Sequence, residues 1–264
     1  MESRNPVFAR SESFSRGGYA NFDQSVSNQQ LENMYAAPPA TPTQMRRMTI
    51  DDVVIRTGIL FAVLIATGTV AWVLNFGIGI AIIAAFAAFG VAMVVTFKRQ
   101  ASPALALTYA ALEGVFVGTL SHYYEARWDG IVPQAVLGTL AAFAGMLVLY
   151  RSGKLRATPK FQKMLIVAAI GYLLISLVSF VSAIFLGVGD GWGFFGVGPL
   201  GILLCVAGVA LASFFLILDF DYIEQGVRNG APEQEAWRAG FGLMVTLVWL
   251  YLELLRLLAI LRGE

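Results

Sequence analysis

Seven apolar runs, each near the ~20 residues that cross a ~30 Å hydrocarbon core, constrain this chain more than any other feature in it. They lie at about 53–75, 78–97, 103–124, 132–150, 163–187, 200–223 and 237–261. Inside a bilayer a segment must satisfy its own backbone N–H and C=O groups, so runs of this length fold as helices. Composition agrees. Hydrophobic residues make up 58% of the 264 and charged residues 13%, where a soluble domain carries about 25% charged. The expected fold class is an all-α membrane protein with seven transmembrane helices.

The breaks between runs are short and polar. Asn75-Phe76-Gly77 makes a tight turn, and Lys98-Arg99-Gln100 precedes Pro103. A Gly-rich stretch from Gly187 to Gly198 precedes Pro199, and Arg228-Asn229-Gly230-Ala231-Pro232 separates the last two runs. Thr49, followed by Asp51 and Asp52, reads as a helix cap with acids in the first turn. Residues 1–48 are rich in Ser, Asn, Gln, Pro and Gly. They carry too few apolar side chains to offset the entropy of ordering, so they are expected to form a disordered tail ahead of a domain at 49–264. No secretory signal is expected, because the first apolar run starts near Val53.

Orientation follows from the basic residues. The breaks after runs two, four and six and their margins hold Lys98, Arg99, Arg151, Lys154, Arg156, Lys160, Lys163, Arg228 and Arg238, against Arg127 alone after the odd runs. The positive-inside rule then puts the even breaks and the N-terminal tail in the cytoplasm and the C-terminus outside. The expected place is a bacterial cell (inner) membrane.

Several function classes drop out. A net charge of +1 offers nothing to nucleic acid. One cysteine, Cys205, forms no intrachain disulfide, and one histidine, His122, makes no metal site by itself. No phosphate-binding Gly-rich loop, metal-ligand spacing or Ser/His/Asp set is present, so the chain is not expected to be an enzyme and needs no cofactor. Gly187-Val188-Gly189-Asp190 spells the Gly-x-Gly-Asp of intramembrane aspartyl proteases, but it lies in a break, and the other aspartates come after it. Gly114 and Gly118 form a Gly-x-x-x-Gly in run three, which lets two helices of the same chain approach closely.

The informative residues are acids within the runs: Glu113, Asp219, Asp221 and Glu253. A charge at hydrocarbon depth costs roughly 2.5–3.5 kcal/mol on insertion scales, so such side chains face a cavity or each other. Asp219 and Asp221, two residues apart, point to different sides of their helix. Asp219 is deeper and is assigned to the interior, while Asp221 is placed at the end with Glu224. Two readings of Asp219 and Glu253 stay open. In one they share a proton or bind a cation, for which hard oxygen ligands suit Ca²⁺. In the other each is satisfied separately, Glu253 by Arg256 one turn on and Asp219 by backbone or water. Glu113 is either a packing hydrogen bond or a pore-lining acid. Glu253 lies 16 residues beyond Trp237, roughly 24 Å along a helix. The pair therefore requires the seventh helix to start below the membrane surface or to tilt.

Seven spans, Glu113-Gly114 in an early one, Leu218-Asp219-Phe220 late in the sixth and Leu250-Tyr251-Leu252-Glu253 in the seventh resemble the Bax inhibitor-1 family, also called the transmembrane Bax-inhibitor-motif family. The polar head and the run from Gly240 to Leu261 look most like its actinobacterial branch. The resemblance implies a bundle around a central seventh helix. It also implies a pH-sensitive Ca²⁺ leak of the plasma membrane, gated by protonation of two intramembrane carboxylates. Carried over, these fall on Asp219 and Glu253, which would also be the metal-contacting residues. Asp221, Glu113 and Arg256 are accessory candidates, and an alternative register puts Trp249 at the second position. The implied partners are the lipid bilayer, Ca²⁺ and protons. The alternative function is a non-transporting regulator that binds a membrane protein, such as a quality-control protease, through its tail.

Overall fold

A computed structural model describes residues 46–98, 101–186 and 193–262, apart from the side chains of Ile184 and Leu186. The polar tail up to residue 45, the break at 99–100 and the Gly-x-Gly-Asp at 187–190 lie outside the described residues. Among these residues seven long helices follow one another: α1 (Ile50–Val73), α2 (Ile78–Phe97), α3 (Pro103–Arg127), α4 (Ile131–Arg151), α5 (Pro159–Leu186), α6 (Pro199–Arg228) and α7 (Glu235–Leu261). A 3₁₀ turn, Gly193–Phe195, precedes α6. All seven helices are long and apolar enough to cross a membrane. Each matches one of the expected runs. The largest differences are at helix ends: α6 continues five residues beyond 223 to Arg228, and α5 starts at Pro159. Polar residues such as Lys160, Gln162, Glu224 and Gln225 occupy these ends, so apolarity alone does not mark them as helix.

Short connections make neighbouring helices alternate in direction. The starts of α1, α3, α5 and α7 therefore share one end of the bundle with the ends of α2, α4 and α6. We call this the tail end, because residue 50 emerges there.

The start of α1 is built as its sequence suggests. The Thr49 hydroxyl accepts from the Asp52 N–H at 3.2 Å, and the Asp52 carboxylate accepts from the Thr49 N–H at 3.0 Å. This reciprocal box satisfies two otherwise orphaned groups. Thr49→Ala is expected to lower stability by about 1 kcal/mol, read as a fall in the midpoint of thermal unfolding in detergent.

Lipid tails are as apolar as leucine, so the helices associate through close packing rather than through a hydrophobic drive. The most extensive contact is α1 on α3, and it is made by glycines. A Cβ at Gly118 would stand 2.2 Å from the Gly68 carbonyl oxygen, and one at Gly114 would stand 2.4 Å from that of Leu64. The Gly-x-x-x-Gly of α3 thus serves packing within the chain, as expected. α7 packs against α1, α3, α4 and α6, whereas α2 rests mainly on α3, and α5 on α6 and the 3₁₀ turn.

Candidate functional site

Among the described residues, the acids enclosed between the helices lie in two separate places. The first is Asp219, late in α6. Its Oδ2 is buried without a hydrogen-bond partner. Across the interface on α7 stand Gly242, whose missing side chain leaves room 3.9 Å from Oδ1, and Thr246, whose hydroxyl donates to the Gly242 carbonyl at 3.2 Å. Asp219 forms part of the wall of a cavity of about 540 Å³ between α2 and α3 on one side and α6 and α7 on the other. Glu113 lines the same cavity, with Tyr109 one turn earlier placing its hydroxyl beside the carboxyl group. Apart from Thr96 and Thr246 the remaining wall is apolar, including Phe89, Met93, Phe116 and Phe241. A second cavity of about 210 Å³ shares Thr96, Asp219, Phe241 and Gly242 with the first and adds Val95, Tyr222, Arg238 and Ala239. It extends towards the tail end, where Arg238 pairs with Glu235 at 2.9 Å.

The second place is Glu253, buried on α7. Its Oε1 accepts from the Tyr172 hydroxyl at 2.8 Å and from the Trp249 indole N–H at 3.3 Å. Its Oε2 lies 3.8 Å from Arg256 Nη1. Gly208 of α6 makes this arrangement fit, because a Cβ there would stand 2.5 Å from the Tyr172 oxygen and 2.7 Å from the Glu253 carboxyl carbon. The Arg256 guanidinium is covered by the Phe195 ring at 4.7 Å. The 3₁₀ turn carrying that ring is pinned to α5 where the Phe194 N–H donates to Ser179 Oγ at 2.9 Å. Glu253 thus ties α5, α6 and the turn to α7.

These positions correct the expected pair. Glu253 touches α6 at Gly208, and Asp219 lies eleven residues further along that helix, about 16 Å at ~1.5 Å per residue. Counting along α7 from Gly242 to Glu253 yields the same separation. The seventh helix starts near the tail end and does not tilt enough to bring the two carboxylates together. Glu253 is satisfied separately, by Arg256, Tyr172 and Trp249, whereas Asp219 keeps its Oδ2 without a hydrogen-bond partner. What shares a cavity with Asp219 is Glu113, which spacing left as either a packing group or a pore acid. Asp221 points elsewhere, accepting from the Gln225 amide near the end of α6. Trp249, the alternative second position, donates to Glu253 rather than facing Asp219.

Sequence reasoning passed over Tyr172, Gly208, Gly242 and Thr246. Tyr109 could have been found from its i, i+4 spacing to Glu113. The other four become partners only through the rotation of neighbouring helices, which no local pattern records.

Buried acids in a seven-helix bundle, with Asp219 late in the sixth helix on a cavity wall, agree with what the sequence motifs suggest. Residues 5–263 match the family described as Bax inhibitor 1 like. The chain belongs to the Bax inhibitor 1-like family. It also resembles an uncharacterised protein of Chlamydia muridarum (strain MoPn / Nigg), with 27% identity over 150 residues. That match covers 54% of this chain and 59% of the relative.

Proposed function

We propose that this Bax inhibitor 1-like protein is a pH-sensitive cation leak, with Ca²⁺ as the favoured ion, gated by protonation of carboxylates within the membrane. The observation that carries this reading is the shared cavity of Asp219 and Glu113, continued towards the tail end by the smaller one. An ionised carboxylate on an apolar wall attracts a cation strongly because little water screens it. A protonated one does not, so loss of protons turns the cavity from indifferent to attractive. Among the described residues no three or more His, Cys, Asp or Glu side chains gather into a metal-binding group. Two acids suit an ion in transit, which must bind well enough to enter and weakly enough to leave. The charged and titratable groups facing Asp219 across the cavities are Glu113 and Tyr109 on α3, Tyr222 on its own helix and Arg238 on α7. The excess of basic residues at the tail end favours a cytoplasmic N-terminus in a bacterial cell membrane.

The test is ⁴⁵Ca²⁺ uptake into proteoliposomes across a pH series. Wild-type flux is expected to rise with pH. Asp219→Asn is expected to flatten that dependence and to lower flux at neutral pH by about tenfold, the effect of losing ~1.4 kcal/mol of charge attraction. Flux that ignores both pH and the substitution refutes the leak.

A further inference from the structure

The chain ahead of α1 does not simply leave the bundle. The Met48 N–H donates to the Ala231 carbonyl at 2.8 Å, and the Glu233 N–H donates to the Arg46 carbonyl at 2.9 Å. Between them Arg47 and Pro232 form an isolated antiparallel bridge. The α6–α7 connection at 229–234 is thus paired with residues 46–48, the last three of the stretch assigned to the tail. Met48 is 2% exposed and packs with Val53 of α1, Ile223 and Val227 of α6, and Ala236 and Ala239 of α7. Gly226 leaves the slot for it, since a Cβ there would meet the Met48 methyl at 2.7 Å. Arg56 of α1 completes the contact by donating to the Glu233 carbonyl and pairing with its carboxylate.

This contact reaches the acidic cavity through one shared residue. Ala239 packs in the Met48 cluster and also lines the smaller cavity with Asp219, Tyr222 and Arg238. Met48 therefore backs the wall of that cavity at its tail end. Gly226, which holds the Met48 methyl, lies two helical turns beyond Asp219 on the same helix.

We propose that residues 46–48 are a brace that holds the tail-end mouth of the Asp219 cavity narrow, and that freeing the brace widens it. The brace rests on two backbone hydrogen bonds, one buried side chain and one ion pair, so it can open without unfolding the helices. A pull on the chain ahead of Arg46 would be felt first at the α6–α7 connection. Its effect on flux rests on the leak reading, while its effect on structure does not.

The test uses the full chain in lipid nanodiscs, comparing Met48→Asp, the volume-conserving Met48→Leu, and Arg56→Gln. Hydrogen exchange across 229–236 is expected to speed by about tenfold in Met48→Asp, less in Arg56→Gln, and within about twofold of wild type in Met48→Leu. Spin labels at Thr96→Cys and Tyr222→Cys, with buried Cys205 left in place, should move apart by about 3 Å or more in Met48→Asp. Calcium flux in that variant should rise about threefold, a modest population shift. Unchanged exchange at 229–236 overturns the brace, and faster exchange with an unchanged label distance overturns its hold on the cavity. Should Met48→Asp fail to fold, Arg56→Gln decides by the same two measurements. A wild-type chain that passes no cation defeats the leak reading alone, and exchange and distance still decide the brace.

Discussion

Gly118→Val is expected to be among the most destabilising glycine replacements in the spans. Even the first carbon of the new side chain would stand 2.2 Å from the Gly68 carbonyl oxygen and 2.5 Å from the Gly68 Cα. Both are backbone atoms, which cannot rotate away as a flexible side chain can. The two helices must separate, and the dispersion contacts along the most extensive interface in the bundle weaken together. In lipid no hydrophobic term replaces them. Overpacking of this kind costs about 2–3 kcal/mol, a fall of roughly 5–10 °C in the midpoint of thermal unfolding for a chain of this size. Gly145→Ala is the control, because nothing stands within 4 Å of its added carbon. Equal midpoints for Gly118→Val and wild type would mean that α1 and α3 do not touch backbone to backbone.

The second large effect is expected at Glu253. Removing one partner of a buried ion pair typically costs 3–5 kcal/mol, because the other is left uncompensated. Here Arg256 keeps 32% of its side chain exposed, and that partial hydration lowers the expected cost of Glu253→Ala to about 2–4 kcal/mol. The Tyr172 hydroxyl and Trp249 indole lose their acceptor at the same time. Glu253→Gln keeps an oxygen for them and loses only the charge, so its cost should fall between alanine and wild type. Thermal unfolding reads both. The glutamine variant has a second use. Glu253 stands about 16 Å from Asp219 by helical rise, so Glu253→Gln should leave the pH dependence of calcium flux intact while Asp219→Asn removes it. A flat profile in Glu253→Gln would restore the pair that the helix register argues against.

Much of the scaffold could be read without coordinates. The Thr49–Asp52 cap is a four-residue pattern and appears as such. The Gly-x-x-x-Gly of α3 announced a close helix approach, though not that Gly68 of α1 would receive it. The tail boundary was less legible. A polar composition describes residues 1–48 as a whole, yet Met48 is among the most buried side chains in the bundle. One apolar residue next to a cap carries no periodicity, and its pocket is completed by two helices distant in sequence, α6 and α7. His122 shows the same limit: it packs edge-on against Trp72 at 5.3 Å, a neighbour supplied by the pairing of α1 with α3.

Span length and apolarity are properties of single segments, and they determined seven membrane helices and most of their ends before any packing was known. Motif resemblance in the same string pointed to the family. Which acids meet was decided by the axial register and rotation of α3, α6 and α7. A carboxylate's surroundings belong to the helix facing it, and a slide of eleven residues moves a group about 16 Å without altering any local pattern. That is why the sequence could mark Asp219 and Glu253 as costly in a bilayer, and why only the folded bundle set Glu113 on the cavity wall it shares with the one and Arg256 beside the other.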